Sequence, residues 1–227
     1  MDGEAGLVVR TVGHSNHDLA RLLRLLRDHQ ITVLADVRSA PYSRYSPQFN
    51  RPELERALPA HEIRYEFLGQ KLGGRPDDPE CYDEAGHVVY DRMEETSEYR
   101  QGIDEVLALA EGGERVCLMC SEEDPAICHR AISIGHFLAA RDVAVEHIRG
   151  DGHTETQHEL RGKAINQPLQ FSLFEEAPAR KSLQPIAREG RPGASGSRDD
   201  RDRDWVEGDQ FSFFDDDREA SNWTSSP

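Results

Sequence analysis

The chain has 227 residues, 37% of them hydrophobic and 31% charged, and a formal net charge of −16. No apolar run approaches the ~20 residues of a membrane-spanning helix, and the acidic start Met1-Asp2-Gly3-Glu4 lacks a signal-peptide core. The composition predicts a soluble cytoplasmic protein with no membrane partner and excludes one that coats nucleic acid non-specifically; a local basic site remains compatible with it.

Leu7–Gly13 is a short apolar run and reads as a first strand. Ser15 or Asn16 is placed to cap a helix over 17–29, with Leu19, Leu22, Leu23 and Leu26 on one face. Ile31–Val37 reads as a second, buried strand. A helix over Pro52–Leu58 leads to a third strand, Ile63–Leu68. Ser97 is placed to cap a helix that carries Ile103, Val106, Leu107 and Ala110 inward and ends at Gly112-Gly113. Arg115–Cys120 is the fourth strand. Asp124-Pro125 reads as a cap followed by proline at the first helical position, opening a helix to Arg141. Val143–Ile148 is the fifth strand. Strands alternating with helices predict an α/β domain over 1–162, built on a mainly parallel open sheet of about five strands flanked by helices.

The remaining residues, 163–227, differ in complexity. They contain Gly190-Arg191-Pro192-Gly193-Ala194-Ser195-Gly196-Ser197 and then alternating Asp and Arg from Asp199 to Asp204. Such a segment buries too little apolar surface to offset the entropy of ordering, and a mostly disordered tail is expected.

Ligands of open α/β sheets bind outside the carboxyl ends of the strands. The unusual polar residues fall there: His14 and Ser15 after strand one, Asp36 and Arg38 at the end of strand two, Lys71, Gly73, Gly74 and Arg75 after strand three, Cys120 at the end of strand four. If the chain order reverses between strands one and four, His14 and Cys120 flank one crevice. The loop from Arg38 to Pro52 is long for a βα connection. It carries Ser43, Arg38, Arg44 and Arg51, no acid, and Tyr42, Tyr45 and Phe49. Arginines suit phosphates and aromatic rings stack on bases, so an anionic ligand such as DNA or a nucleotide is expected; a solvated loop packed by its own aromatics is the alternative.

Four cysteines are too few for a disulfide framework. Three of them, Cys117, Cys120 and Cys128, fall within twelve residues. Cys117 and Cys120 point to opposite faces of a strand, which argues against thioredoxin-like chemistry. For Cys120, Cys128, His129 and Arg130 three readings stand. A thiol is a nucleophile with His14 or His129 as base; the thiols and a histidine bind metal, although the spacing fits no standard zinc pattern and no metal is assigned; or Cys128 is inert filling at a helix N-terminus while His129 and Arg130 meet phosphate. Asp36 is either a general base or the residue that orients Arg38 or His14. His17, His29 and His136 read as structural, and His147 and His153 as weaker rim candidates. No cofactor is assigned.

The string Thr11-Val12-Gly13-His14-Ser15, then Asp36-Val37-Arg38 with Pro41, Ser43 and Arg44, then Leu72-Gly73-Gly74, then Cys120 with Cys128-His129-Arg130, resembles the Domain of Unknown Function 488 family over residues 7–153. The resemblance implies an α/β domain whose motifs form one site, and it leaves the activity unassigned.

In the tail, Gln170-Phe171-Ser172-Leu173-Phe174 resembles the bacterial sliding-clamp-binding pentapeptide, and Gln210-Phe211-Ser212-Phe213-Phe214 repeats it less closely. The resemblance implies that the glutamine (Gln170, Gln210) can hydrogen-bond to a clamp while the last apolar pair (Leu173-Phe174, Phe213-Phe214) fills its pocket, which a segment without its own fold can do. Together the features predict a DNA-maintenance or base-modifying protein recruited by a sliding clamp. A non-enzymatic clamp-binding adaptor and a small-molecule phosphate or nucleotide enzyme are the alternatives.

Overall fold

A computed structural model describes residues 6–165 and 179–186; the two pentapeptides, 170–174 and 210–214, lie outside the described residues. Strand β1 (Val8–Gly13) opens the sheet. Helix α1 (Leu19–Asp28) buries Leu22, Leu25 and Leu26, each such side chain worth roughly 1.5–3 kcal/mol of burial. Its cap is Asp18, which accepts from the Arg21 amide at 2.7 Å, rather than Ser15 or Asn16. Strand β2 (Val33–Asp36) is buried throughout. Helix α2 (Arg51–Ala57) follows the long loop, then β3 (Arg64–Phe67) and the single turn α3 (Gly69–Leu72). Helices α4 (Tyr90–Glu95) and α5 (Ser97–Glu111) meet at Thr96, whose hydroxyl, and not that of Ser97, caps α5. Strand β4 (Val116–Cys120) is again buried at every position.

The helix expected from Pro125 to Arg141 is broken. Asp124 does cap a turn at Pro125–Ile127, but Cys128 is extended, with φ −113° and ψ 139°. A π-helical turn, Arg130–Gly135, then runs into α6 (His136–Ala139). Strand β5 (Ala144–Ile148), strand β6 (Thr154–Thr156) and helix α7 (Gln157–Ile165) complete the domain.

The sheet is mixed and mostly parallel, with six strands in the order β3-β2-β4-β1-β5-β6; only β6 is antiparallel. Helix α1 belongs to the core layer that holds Val12, Leu34, Cys117 and Met119. The turn after β4 belongs to the opposite layer, through Ile134 and Leu138, with Val9, Val37, Leu118 and Cys120. The chain therefore leaves β1 over one face toward β2 and leaves β4 over the other face toward β5. Gly13 pairs with Cys120 at this divergence, so the chain order reverses between strands one and four, as the expected crevice requires. Cys117 and Cys120 lie in opposite layers, as their spacing predicts.

Residues 179–186, read from sequence as part of the tail, pack on the domain. Lys181 bridges Val89, and the Ser182 amide donates to Val88 at 2.9 Å. Arg180 donates from Nη1 to Glu94 Oε1 at 2.8 Å and to the Ile132 carbonyl at 3.0 Å, and also pairs with Asp91. No helix among the described residues is long and apolar enough to cross a membrane.

Candidate functional site

Two polar clusters stand side by side at the carboxyl rim. The first is built on β2. Arg38 donates from Nε to Asp36 Oδ1 at 2.9 Å and from Nη2 to Oδ2 at 2.6 Å. Its backbone amide reaches Oδ1 at 3.1 Å, and Tyr65 donates its hydroxyl to Oδ2 at 2.8 Å. Nη2 also reaches the Phe49 carbonyl at 2.8 Å, and Nη1 donates to His14 Nε2 at 3.2 Å. Asp36 and Arg38 are both buried. Burial works against the charge on Arg38, but the hydrogen bond and charge of Asp36 outweigh it and raise its pKa.

His14 stacks on Phe49 at 4.4 Å between centroids. Since arginine only donates, Nε2 accepts; Nδ1 then carries the proton and donates to the Ser15 carbonyl at 2.8 Å. Burial, then the Arg38 charge, lower the His14 pKa to about 4. This neutral ring has its lone pair occupied, which corrects the expectation of a general base. Asp36, saturated by donors, is the orienting residue of the two roles expected for it, and Arg38 is committed to Asp36 rather than to an external phosphate.

The second cluster gathers sulfur, imidazole and carboxylate. Cys120 and Cys128 Sγ lie 3.2 and 3.4 Å from Glu122 Oε2. His129 donates from Nε2 to the Val37 carbonyl at 3.0 Å, turning Nδ1 toward Cys120 Sγ at 3.6 Å and Cys128 Sγ at 3.9 Å. The two sulfurs and Nδ1 all lie within 4.8 Å of one another. Both cysteines and His129 are buried; Glu122 is half-buried. The Cys120 thiol, hydrogen-bonded to Cys128 and buried, is held above its ordinary pKa. Burial opposes ionisation of Cys128, yet the Cys120 hydrogen bond, the Arg130 charge and His129 outweigh it, so Cys128 is the acidic partner. Cys128 is extended and precedes the π-helical turn, whose Ala131 and Ile132 amides each donate to its carbonyl at 3.0 Å, rather than lying one turn into a helix as expected.

Close packing holds this cluster. A Cβ on Gly74 would stand 3.0 Å from the His129 ring, so the glycine lets the loop after α3 cover the imidazole. Arg130 is fully buried and donates to the carbonyls of Glu122 and Glu123. It secures the loop between the cysteines and does not face phosphate, contrary to expectation.

The expected cationic rim is largely spent internally. Lys71 pairs with Glu105, and Arg51 donates to Glu55 at 2.8 Å. Ser43 Oγ accepts from the amides of Tyr45 and Ser46, each at 3.2 Å, and so shapes the loop. Gly73 packs against Ser39, whose hydroxyl accepts from the Arg75 amide at 2.9 Å. Ser15 has a left-handed φ of 48° and serves His14 through its carbonyl. What the loop presents outward is aromatic: Tyr42 is 54% exposed and Tyr45 69%, with the Arg44 guanidinium 5.4 Å from the Tyr45 ring. Tyr42 also borders a shallow cleft of about 360 Å³ with Gln48, Asn50 and Glu53.

Tyr65 is the member that sequence reasoning missed; Glu122, two residues past Cys120 at a strand's carboxyl end, was legible at the rim in Cys120-Ser121-Glu122 but was given no role. His147 is not at the rim: it bridges Thr11 Oγ1 and Gln157 Oε1, each at 2.8 Å, inside the domain. His153 is exposed beside Asp151.

The family model described as "Domain of unknown function DUF488" matches residues 18–135, a span that carries Asp36, Arg38 and the whole sulfur cluster but not His14. No curated protein and no solved structure matches the chain.

Proposed function

The chain belongs to the Domain of unknown function DUF488 family, and from that premise we propose that the domain is an enzyme acting on an accessible nucleic-acid base or a nucleotide, recruited to DNA by the clamp-like tail pentapeptides. Its reacting groups are Cys120, Cys128, His129 and Glu122. The observation that carries the reading is that this buried cluster, with its half-buried Glu122, stands at the same carboxyl rim from which the loop bearing exposed Tyr42 and Tyr45 emerges. Aromatic side chains are platforms on which unstacked bases stack, and a neighbouring arginine adds to the hold, as the Arg44 guanidinium does 5.4 Å from the Tyr45 ring.

The test is fluorescence anisotropy of a labelled single-stranded oligonucleotide with the full chain. Tyr42→Ala with Tyr45→Ala is expected to weaken binding at least tenfold, as stacking is worth about 1–3 kcal/mol per base. Cys128→Ser is expected to leave it intact. Equal binding by the tyrosine variant would remove the nucleic-acid assignment.

One observation favours a second reading, a clamp-binding adaptor without catalysis: Cys120 and Cys128 are sealed from solvent. An adaptor keeps its cellular function with Cys120→Ser and loses it when both pentapeptides are disrupted.

A further inference from the structure

We propose that Cys120 Sγ, Cys128 Sγ and His129 Nδ1 form a three-ligand site for one thiophilic divalent cation, zinc in the first place, with the Glu122 carboxylate beside the two sulfurs. The inference deepens the reading above, and rests on it for any catalytic use of the metal.

Geometry carries the argument. Zinc bonds of about 2.3 Å to sulfur and about 2.0 Å to nitrogen or oxygen place tetrahedral donors roughly 3.3–3.8 Å apart. The sulfur–carboxylate distances here are 3.2 and 3.4 Å, and the sulfur–imidazole edges 3.6 and 3.9 Å. The two sulfur–imidazole edges thus already have nearly the required length, and the two sulfurs and Nδ1 lie within 4.8 Å of one another. The imidazole is aimed by its other nitrogen, which donates to the Val37 carbonyl, the outer contact that fixes a metal-binding tautomer.

The backbone is set independently of any ion. The amides of His14 and Ser15 donate to the carbonyls of Cys120 and Ser121 at 2.9 and 2.8 Å, and Arg130 grips the next two carbonyls. Seven residues separate the cysteines, and this wide loop is closed by the Arg130 contacts and the Asp124-capped turn. The cluster therefore forms without a short zinc-finger spacing.

Ligand chemistry selects the ion. Two thiolates and an imidazole favour zinc over magnesium or calcium, which take oxygen donors. Cys120, Cys128 and His129 are buried while Glu122 is half-buried. Three protein donors leave the fourth tetrahedral position open, on the side of half-buried Glu122, and sites with such an open position are the catalytic kind.

The experiment is elemental analysis of the full chain, expressed with zinc in the medium and purified without chelator. About one zinc per chain is expected, a stoichiometry that follows from the single three-donor site. Cys128→Ser and His129→Ala should lose it, while Cys117→Ser, in the opposite core layer, should keep it. Should the ligand variants fail to fold, cobalt(II) titration of the reduced, metal-stripped wild type decides. A thiolate-to-cobalt charge-transfer band with tetrahedral d–d absorption supports the site. Sub-stoichiometric metal and no such band, or retention of the metal by Cys128→Ser, overturns it. Oligonucleotide binding by the same samples judges the nucleic-acid reading separately.

Discussion

Arg38 and Asp36 form a nearly sealed ion pair at 2.6 Å at the end of a buried strand. The carboxylate accepts from the Arg38 side chain, the Arg38 amide and Tyr65; the guanidinium reaches on to Phe49 and His14. Such a pair stabilises little relative to apolar isosteres, but removing one partner leaves a buried charge alone. Asp36→Asn is expected to destabilise the domain by about 3–5 kcal/mol, read as a fall in the urea midpoint. Asp36→Leu with Arg38→Met should cost less than either single change. A near-neutral Asp36→Asn would return Asp36 to the list of catalytic bases.

Acid should weaken the fold through two buried histidines. His14, facing Arg38, Asp36 and His17, and His147, facing Gln157, Arg130, Glu155 and Cys128, both have pKa values lowered from 6.5 to about 4, burial being the main cause. The unfolded chain protonates them below 6.5 while the folded chain resists until about 4. Their contribution is therefore complete above 6.5 and is lost as pH falls toward 4, at up to about 1.4 kcal/mol per pH unit for each. Urea unfolding across this range should show the loss, and His147→Gln should flatten it. An unchanged slope in that variant would contradict the assignment.

Gly13 is the close-approach residue between the two clusters. A Cβ there would collide with the Glu122 carbonyl. Gly13→Ala should push the loop that holds Glu122 outward, costing about 1–3 kcal/mol or more. It should also raise the reactivity of Cys120 and Cys128 toward a thiol reagent. Unchanged stability and reactivity would mean the loop is not held as described.

Arg180 ties residues 179–186 to the domain through Glu94, Asp91 and the Ile132 carbonyl. Glu94 also accepts from Ser133 Oγ at 2.9 Å, which in turn meets the Tyr99 hydroxyl. Arg180→Met should lower stability by about 1–3 kcal/mol, since it strips a charged hydrogen-bond partner from a buried carboxylate. Glu94→Gln in the same chain should recover part of that loss. Retention of wild-type stability by Arg180→Met would show the segment to be dispensable.

The recruitment prediction concerns Phe174 and Phe214. The full chain should bind its host's sliding clamp, and Phe174→Ala with Phe214→Ala should abolish binding measured by surface plasmon resonance. Two weak sites on one tail reinforce each other on a multi-site ring, so each single change should weaken binding without removing it. Binding that survives both changes would reduce the pentapeptides to linker.

Much of the fold was legible because apolar runs such as Val33–Ala35 and Val116–Met119 have no stable place except a buried strand. Cap positions slipped by one to three residues, to Asp18 and Thr96, because neighbouring polar residues compete for the same role and only tertiary packing chooses. The break at Cys128 was hidden by Asp124-Pro125, which starts a helical turn whether or not the turn continues. Short edge strand β6 and the docked Arg180 segment have too little apolar pattern to announce themselves. The candidate residues were found, but their roles were partly misread. Charge reads as free in a sequence, whereas Arg38, Lys71 and Arg130 are consumed by Asp36, Glu105 and two backbone carbonyls. Glu122 was placed at the rim but given no role, because Glu122-Glu123-Asp124 looks like an ordinary solvated acidic run.

The central claim is that the cluster of Cys120, Cys128, His129 and Glu122 performs chemistry on a base. It is tested most directly by incubating the full chain with a panel of single-stranded, damaged and modified oligonucleotides and free nucleotides, and reading base composition by mass spectrometry. The account predicts a base-mass change in at least one substrate that Cys128→Ser abolishes and Cys117→Ser preserves. No change in any substrate, or a change that Cys128→Ser leaves intact, would contradict it.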